Sequence, residues 1–175
     1  MRKISLFIAS SIDGYIARES GEIDWLFTDQ DYGYTEFIAD VDTLIMGNKT
    51  YQQVLGFDEY PYSSQEVFVL SKTLQGQAEN NATFVNGDWQ NFMTNLRQSS
   101  GGVIWLVGGA QTIKFFLKHG LIDEMILSIH PIILGNGIPL ITKDSSLETK
   151  LELKDVKTYN SGLVQVTYDI KRKVN

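Results

Sequence analysis

The chain has 175 residues, of which 43% are hydrophobic and none is cysteine. This length is typical of one domain, so we expect residues 1–175 to form a single unit with a well-packed core. The formal net charge of −6 excludes a general basic surface for nucleic acid phosphates or anionic lipid. The lack of cysteine excludes disulfides, thiolate nucleophiles and cysteine-containing zinc sites. We expect a cytoplasmic protein without nucleic-acid or membrane partners.

The first two thirds of the chain alternate short apolar runs with segments that repeat apolar residues at helical spacing. In chain order these patterns predict a strand at Lys3–Ser11, a helix at Asp31–Val41, a strand at Thr43–Met46, a helix at Asn48–Leu55, strands at Val67–Leu70 and Thr83–Val85, a helix at Trp89–Arg97, a strand at Val103–Val107 and a helix marked by Ile113, Phe116 and Leu117. Such alternation is typical of a parallel sheet covered by helices.

The last third of the chain changes to strands joined by turns. We predict a strand at Glu124–Leu134, and a hairpin made of Leu151–Tyr159 and Leu163–Lys171 around Asn160-Ser161-Gly162. The whole pattern indicates an α/β three-layer sandwich whose central sheet is mostly parallel and ends in an antiparallel hairpin. Because exposed apolar strands need covering, the late strands also predict a homodimer.

Ligands of such sheets bind beyond the carboxyl ends of the strands, and two strand-to-helix junctions there carry glycine. They are Leu44–Tyr51, with Gly47 at its corner, and Trp105–Thr112, with Gly108-Gly109. Glycine lets the backbone approach a ligand, and a helix N-terminus attracts an anion. A third junction ends in Ser71-Lys72. Three such junctions favour a dinucleotide with several phosphates as the ligand. Two alternative explanations stay open: the glycines relieve crowding at tight turns, and the lysines are solvated surface residues.

Residues for acid–base chemistry are few. The two histidines have structural explanations, His119 as a cation near a helix C-terminus and His130 as a strand-end residue. No metal-ligand spacing is present, so no metal is predicted. The remaining acid candidates lie between the first and second strands: Asp13, Asp24, Asp31 and Glu36. Most carboxylates in such a stretch are merely solvated.

Four motifs in this order resemble the dihydrofolate reductase superfamily: Ser11–Ala17, Ile45–Tyr51, Leu70–Lys72 and Val107–Gly109. The downstream segments Gly120–Glu124 and His130–Leu140 resemble one branch of it, the reductase domain of bifunctional riboflavin-biosynthesis proteins and its stand-alone relatives. Together the motifs cover nearly the whole chain. The resemblance implies an NADPH-dependent reductase built on a central eight-stranded, mostly parallel sheet.

The resemblance also assigns cofactor residues, grouped by the part of NADPH that each would contact. Gly47, Asn48, Lys49 and Thr50 would hold the adenosine side; Leu70, Ser71 and Lys72 the adenine and 2′-phosphate; Gly108, Gly109, Ala110, Gln111 and Thr112 the pyrophosphate; and Ala9, Ser10 and Ile16 the nicotinamide. Folate reductases usually carry arginine where this chain has Asn48, which weakens the expected preference for NADPH over NADH.

On the substrate side, Asp31 precedes Gly47 by about the distance that separates the folate reductases' catalytic acid from their corresponding glycine. We therefore predict Asp31 as the catalytic acid, with Asp13 and Trp25 as substrate-binding residues. The implied reaction is hydride transfer to a small pterin- or pyrimidine-like molecule, most like that of 5-amino-6-(5-phosphoribosylamino)uracil reductase. A true dihydrofolate reductase and a non-catalytic nucleotide-binding regulatory protein remain as alternatives.

Overall fold

A computed structural model of the protein describes residues 1–171. In chain order its elements are β1 (Ile4–Ser11), β2 (Tyr15–Ala17), α1 (Tyr34–Ala39), β3 (Val41–Gly47), α2 (Asn48–Leu55), β4 (Glu66–Leu70), β5 (Gly76–Gln77), β6 (Ala82–Val85), α3 (Trp89–Gln98), β7 (Val103–Gly108), α4 (Ala110–Lys118), β8 (Glu124–His130), β9 (Ile138–Pro139), a 3-10 turn (Ser145–Leu147), β10 (Leu151–Thr158) and β11 (Val164–Ile170). None of the helices in this part of the chain has the length and apolar character to cross a membrane.

Nine of the strands form one sheet in the order β10-β11-β8-β1-β7-β3-β4-β6-β5. The six strands from β8 to β6 are parallel, whereas β10, β11 and β5 pair antiparallel to their neighbours. The predicted α/β fold, with its mostly parallel sheet and terminal hairpin, is confirmed. The expected count of eight strands is wrong by one, and the two-residue strand Gly76–Gln77 along the β6 edge is a strand that sequence patterning did not predict.

The largest differences from the predicted elements occur where pairing partners decide the structure. Strands β2, β5 and β9 have two or three residues, too few for the alternation that predicts a strand. The strand predicted at Glu124–Leu134 ends at His130, because Pro131 follows and the Ile132 amide turns back to donate to the His130 carbonyl (2.8 Å). The helix predicted from Asp31 begins at Tyr34.

Two hydrophobic cores lie on opposite faces of the sheet. Successive side chains of a strand point to opposite faces, so Leu106 packs towards α3 and α4 while its neighbour Trp105 packs towards α1 and α2. Phe116 of α4 is fully buried in the first core, and Tyr51 of α2 is 1% exposed in the second. Helices therefore cover both faces, as the predicted three-layer sandwich requires.

The register of the parallel strands brings the predicted junctions to one edge. Gly47 at the end of β3 lies beside Leu70 at the end of β4, and Met46 lies beside Gly108 at the end of β7. Because β7, β3 and β4 are neighbours in the sheet, their carboxyl ends form one continuous rim. This rim is where the candidate site is built.

Candidate active site

Two helices begin side by side at the rim. Helix α2 starts directly after Gly47 and helix α4 directly after Gly109, and neither N-terminus is capped by a side chain. The first four N–H groups of a helix have no intrahelical partner, and together they present about half a positive charge. Since β3 and β7 are adjacent, two such uncapped ends adjoin. The arrangement suits an anion that spans both helices.

The glycines of the two junctions allow this close approach. A Cβ on Gly47 would lie 2.7 Å from Thr112 Oγ1, and one on Gly109 would lie 3.3 Å from Thr50 Oγ1. Gly108 has φ 126°, which a residue with a side chain rarely adopts, and its peptide bond to Gly109 is cis. Relief of crowding is thus a real function of these glycines, and it is what lets the two helix ends adjoin.

The start of α2 also contains a buried acceptor without a donor. Asn48 Oδ1 is buried and has no hydrogen-bond partner within the described residues. Leaving such an atom unpaired costs about 1–3 kcal/mol. The side chains of Lys49 and Lys72, at the outer ends of the β3 and β4 junctions, are exposed and form no ion pair in residues 1–171. A hydroxyl-bearing, polyanionic ligand fits this set of groups, as a dinucleotide does.

Several other residues assigned to the cofactor lie at the same rim but help to build the fold there. Leu70 is buried in the core, and the Ser71 hydroxyl accepts hydrogen bonds from the amides of Thr73 (3.3 Å) and Leu74 (3.0 Å), so Ser71 shapes the turn after β4. In the first turn of α4, Ala110 is half-buried, Gln111 is exposed and Thr112 is buried against Gly47. Of this group Lys72 and Gln111 are exposed.

The end of β1 lies beside the α4 junction. Ile8 Cδ1 is 3.7 Å from the place of a Cβ on Gly108, which sets the end of β1 against the β7 junction. Ser10 is buried and Ala9 half-buried at the end of β1, where they pair with Ile129 and Ser128 of β8. Ile16 of β2 packs against the core that contains α4. These three residues, assigned to the nicotinamide, are thus set at the β1 and β2 side of the rim.

Asp13 joins the two loops that follow β1 and β8. Its carboxylate accepts hydrogen bonds from the amides of Leu134 (3.1 Å) and Gly135 (2.7 Å). A hydrogen bond from Ser11 and these amides lower the pKa of the Asp13 carboxyl below its usual range. Its contact with substrate stays a prediction, whereas its role in fastening the 134–135 turn is visible.

Asp31 caps the start of the α1 region. Its carboxylate accepts hydrogen bonds from the Thr35 hydroxyl (2.6 Å) and the Thr35 amide (2.9 Å), and these bonds lower the pKa of the Asp31 carboxyl. An exposed carboxylate that is ionised and bound in this way is poorly placed to deliver a proton near neutral pH. The catalytic role of Asp31 stays a prediction that this geometry does not favour.

We expect Asp31→Asn to separate capping from catalysis, because asparagine caps a helix about as well as aspartate but carries no ionisable carboxyl. Removal of a general acid is expected to lower kcat roughly 10²- to 10⁴-fold. If Asp31 only caps the helix, the kcat for substrate-dependent NADPH oxidation will change far less than this. A loss of that size in a variant with the wild-type melting temperature would establish Asp31 as the acid.

A buried aromatic cluster closes the β8 end of the rim, and the sequence did not indicate it. His130 is 4% exposed, and its ring lies edge-on to Trp25, with centroids 5.2 Å apart. The Phe27 amide donates to His130 Nε2 (3.2 Å), so Nε2 carries no proton and Nδ1 donates to the Ser128 carbonyl (3.2 Å). Burial lowers the pKa of His130. Trp25 Nε1 is buried without a partner in residues 1–171.

This geometry predicts that His130 makes folding sensitive to mild acid. A histidine whose pKa is lowered by folding stabilises the protein only above the unfolded pKa of 6.5, because below it the unfolded chain binds the extra proton. The melting temperature should therefore fall as the pH drops from about 7.5 to about 5.5. In His130→Gln the melting temperature should fall less over this pH range, because the contribution of His130 is gone. In the control His119→Gln, at an exposed position, the melting temperature should fall as much as in the wild type. An unchanged pH profile in the His130 variant would contradict the lowering of the His130 pKa by burial.

Known proteins resemble this chain over almost its full length. Residues 2–165 match the family model described as the RibD C-terminal domain. The chain is 39% identical over 171 residues to the uncharacterized protein YwjB of Bacillus subtilis strain 168, an alignment that covers 95% of this chain and 97% of that protein.

Solved structures share the fold. A Shewanella sp. PV-4 protein named for riboflavin biosynthesis has a TM-score of 0.87 and 35% identity, covering 97% of this chain and 99% of its own. The Thermotoga maritima diaminohydroxyphosphoribosylaminopyrimidine deaminase/5-amino-6-(5-phosphoribosylamino)uracil reductase has a TM-score of 0.74 at 16% identity, over 97% of this chain and 57% of its own. Enterococcus faecalis dihydrofolate reductase, complexed with NADP(H), has a TM-score of 0.71 at 14% identity, covering 97% of each chain. The fold is thus dihydrofolate-reductase-like.

Proposed function

The chain belongs to the RibD C-terminal domain family, and from this premise we propose that it is an NADPH-dependent reductase of a small pterin- or pyrimidine-like substrate. The first candidate substrate is 5-amino-6-(5-phosphoribosylamino)uracil, because the similar Thermotoga maritima protein is named as a reductase of this compound. We propose that it acts in the cytoplasm, where NADPH is supplied.

The paired helix N-termini at Gly47 and Gly109 carry this proposal. A single phosphate needs one helix end, whereas a pyrophosphate offers two anionic groups to two adjacent ends. The buried Asn48 Oδ1 would accept a hydrogen bond from a hydroxyl group of the same ligand. NADPH supplies a pyrophosphate, ribose hydroxyls and a hydride when bound.

The free lysines at the rim support NADPH over NADH. Lys49 and Lys72 are exposed cations without carboxylate partners in the described chain, in a protein of net charge −6. Such cations attract the extra 2′-phosphate of NADPH, and either lysine compensates for the asparagine at position 48. Their position beyond adjacent strands β3 and β4 allows both to contribute.

We expect Lys72→Gln to weaken NADPH binding about three- to tenfold, the effect of one partly solvated charge contact, and to leave NADH binding nearly unchanged. Isothermal titration with both nucleotides measures the two affinities. Lys118→Gln provides the matched control, since Lys118 is exposed in the last turn of α4, away from the rim. Equal loss for NADPH and NADH would remove Lys72 from 2′-phosphate recognition.

The substrate would lie between the end of β1 and the aromatic cluster. Trp25 and His130 exclude water from this side, and Trp25 Nε1 offers a buried donor to a ring carbonyl of the substrate. Because His130 Nε2 is already bound by the Phe27 amide, His130 positions the Trp25 segment rather than transferring a proton. The carboxylates of Asp13 and Asp31 are held by backbone amides.

The reaction is tested by following NADPH oxidation with 5-amino-6-(5-phosphoribosylamino)uracil and, separately, with dihydrofolate. Turnover of the aminouracil compound supports the proposal, and turnover of dihydrofolate alone would make the protein a folate reductase. Saturable NADPH binding without oxidation by either substrate would favour the non-catalytic regulatory protein and overturn the proposed reaction.

A further inference from the structure

A cleft lies beside helix α1, on the face of the sheet that this helix covers. Strands β1, β8 and β11 form its floor, α1 forms one wall, and its volume is about 210 Å³. Phe7 lies beside Ile126 and Ile126 beside Thr167 in the register of these strands, so the three side chains make the middle of the floor. Since drug-sized molecules need roughly 300–1,000 Å³, this cleft suits a smaller ligand.

One end of the cleft carries a buried acceptor without a donor. Gln165 lines the cleft and is 5% exposed, and its Nε2 donates to the Tyr32 carbonyl (3.0 Å) and to Ser128 Oγ (3.0 Å). Because a carbonyl only accepts, these bonds fix which way the amide points. Gln165 Oε1 then accepts no hydrogen bond within residues 1–171, and it lies 3.6 Å from the place of a Cβ on Gly33 in the cleft wall. A buried acceptor of this kind favours a ligand with an O–H or N–H group.

The other end of the cleft carries charged side chains. Gly33 and Asp40 flank the six residues of α1, so they lie roughly 10 Å apart along the helix axis. The Asp40 carbonyl accepts from the Val103 amide (2.8 Å) at the amino edge of the sheet, where Lys3 and Glu124 also line the cleft. The cleft therefore runs from a neutral acceptor, across an apolar floor, to a charged end.

One carboxylate at the charged end has no cation. The ion pairs around the cleft are Lys3 with Glu124 (2.6 Å), Lys154 with Glu124 (3.5 Å), Lys154 with Asp169 (3.2 Å) and Lys157 with Glu36 (4.0 Å). Every lysine in this set has a carboxylate, whereas Asp40 forms no ion pair in the described part of the chain. A ligand with one positive charge balances the set.

We propose that this cleft binds a short aliphatic amino alcohol. Its ammonium group lies at the Asp40 end, its hydrocarbon chain lies on Phe7 and Ile126, and its hydroxyl donates to Gln165 Oε1. Each part of such a molecule meets the group that suits it: a cation meets the carboxylate, methylene groups meet the apolar floor, and a neutral donor meets the amide oxygen. The inference depends on this cleft alone and is independent of the proposed reductase activity.

Titration of the full chain with 5-amino-1-pentanol, followed by two-dimensional NMR of the backbone amides, tests the site. The amides of Gly33, Phe37 and Thr167 should shift saturably, with a dissociation constant of about millimolar size. Pentylamine lacks the hydroxyl and 1-pentanol lacks the amine, so each should bind at least about threefold more weakly. Absence of saturable shifts, or shifts confined to other parts of the chain, would overturn the site. Pentylamine binding as tightly as the amino alcohol would overturn the role of Gln165 Oε1.

Asp40→Asn tests the placement of the ammonium group. Asp40 is exposed, so loss of its charge should weaken binding of 5-amino-1-pentanol about two- to fivefold and leave binding of 1-pentanol unchanged. Asp58→Asn, at an exposed position outside the cleft, is the matched control and should bind both compounds like the wild type. Unchanged affinity for the amino alcohol in Asp40→Asn, or an equal loss for both compounds, would overturn this placement.

Discussion

Gly47→Ala is expected to weaken NADPH binding at least about tenfold and to lower the free energy of unfolding by about 1–3 kcal/mol, the usual cost of overpacking. The new Cβ would lie 2.7 Å from Thr112 Oγ1, so either the Thr112 side chain or the start of one of the two helices must shift. Gly47 has φ −80°, which alanine adopts without strain, so crowding alone causes the effect. Calorimetric titration and urea unfolding measure the two quantities.

A second substitution separates this mechanism from a general loss of structure. Thr112→Ala removes the atom that the new Cβ meets, and the double variant should regain most of the stability that Gly47→Ala loses. Strictly additive losses in the double variant would contradict the account of how the two helix ends approach each other.

Asp123→Ala is expected to destabilise the protein by about 3–5 kcal/mol, because it leaves a buried arginine without its carboxylate. Both Asp123 oxygens accept from Arg97, at 2.9 and 2.8 Å, and Asp123 also accepts from the Ile4 amide (2.9 Å). Arg97 is 5% exposed. At about 2–4 °C per kcal/mol, the melting temperature should fall by roughly 6–20 °C.

This contact lies at the amino edge of the sheet, opposite the rim that holds the candidate site. The folded fraction of Asp123→Ala should therefore bind NADPH with nearly the wild-type dissociation constant. Asp169→Ala is the matched control, since Asp169 forms an exposed ion pair with Lys154, and it should lower the melting temperature far less. An equal fall in melting temperature in the two variants would show that the buried Arg97 does not depend on Asp123 more than an exposed ion pair depends on its carboxylate.

Local sequence patterns predicted the helices and strands that are long enough to show the periodic spacing of apolar residues. The apolar runs of β1, β3, β4 and β7 and the helical faces of α2 to α4 are long enough for this. Strands such as Ile138–Pro139 are not, since they form only because Tyr15–Ala17 lies alongside. Helix α1 begins at Tyr34, after Gly33 in a left-handed conformation and with the Thr35 amide bound by the Asp31 carboxylate, and the apolar period revealed neither feature.

In the candidate site, too, local signals could be predicted from the sequence, whereas contacts between distant residues could not. Gly47 and Gly109 could be found because a glycine between a strand and a helix is a local signal. The contact of His130 with the Phe27 amide joins residues 103 apart, and that of Asp13 with Gly135 joins residues 122 apart. The sequence and the resemblance therefore suggested a substrate contact for Asp13, which stays a prediction, and a strand end for His130, without the bonds that fix either side chain. Folding decides which partners such polar groups meet.

A calorimetric titration of the wild-type chain with NADPH shows directly whether the rim at Gly47 and Gly109 binds a dinucleotide. The paired helix N-termini at Gly47 and Gly109 predict saturable binding of one nucleotide per chain, tighter for NADPH than for NADH. No saturable heat with either nucleotide at millimolar concentration would contradict a dinucleotide site at this rim.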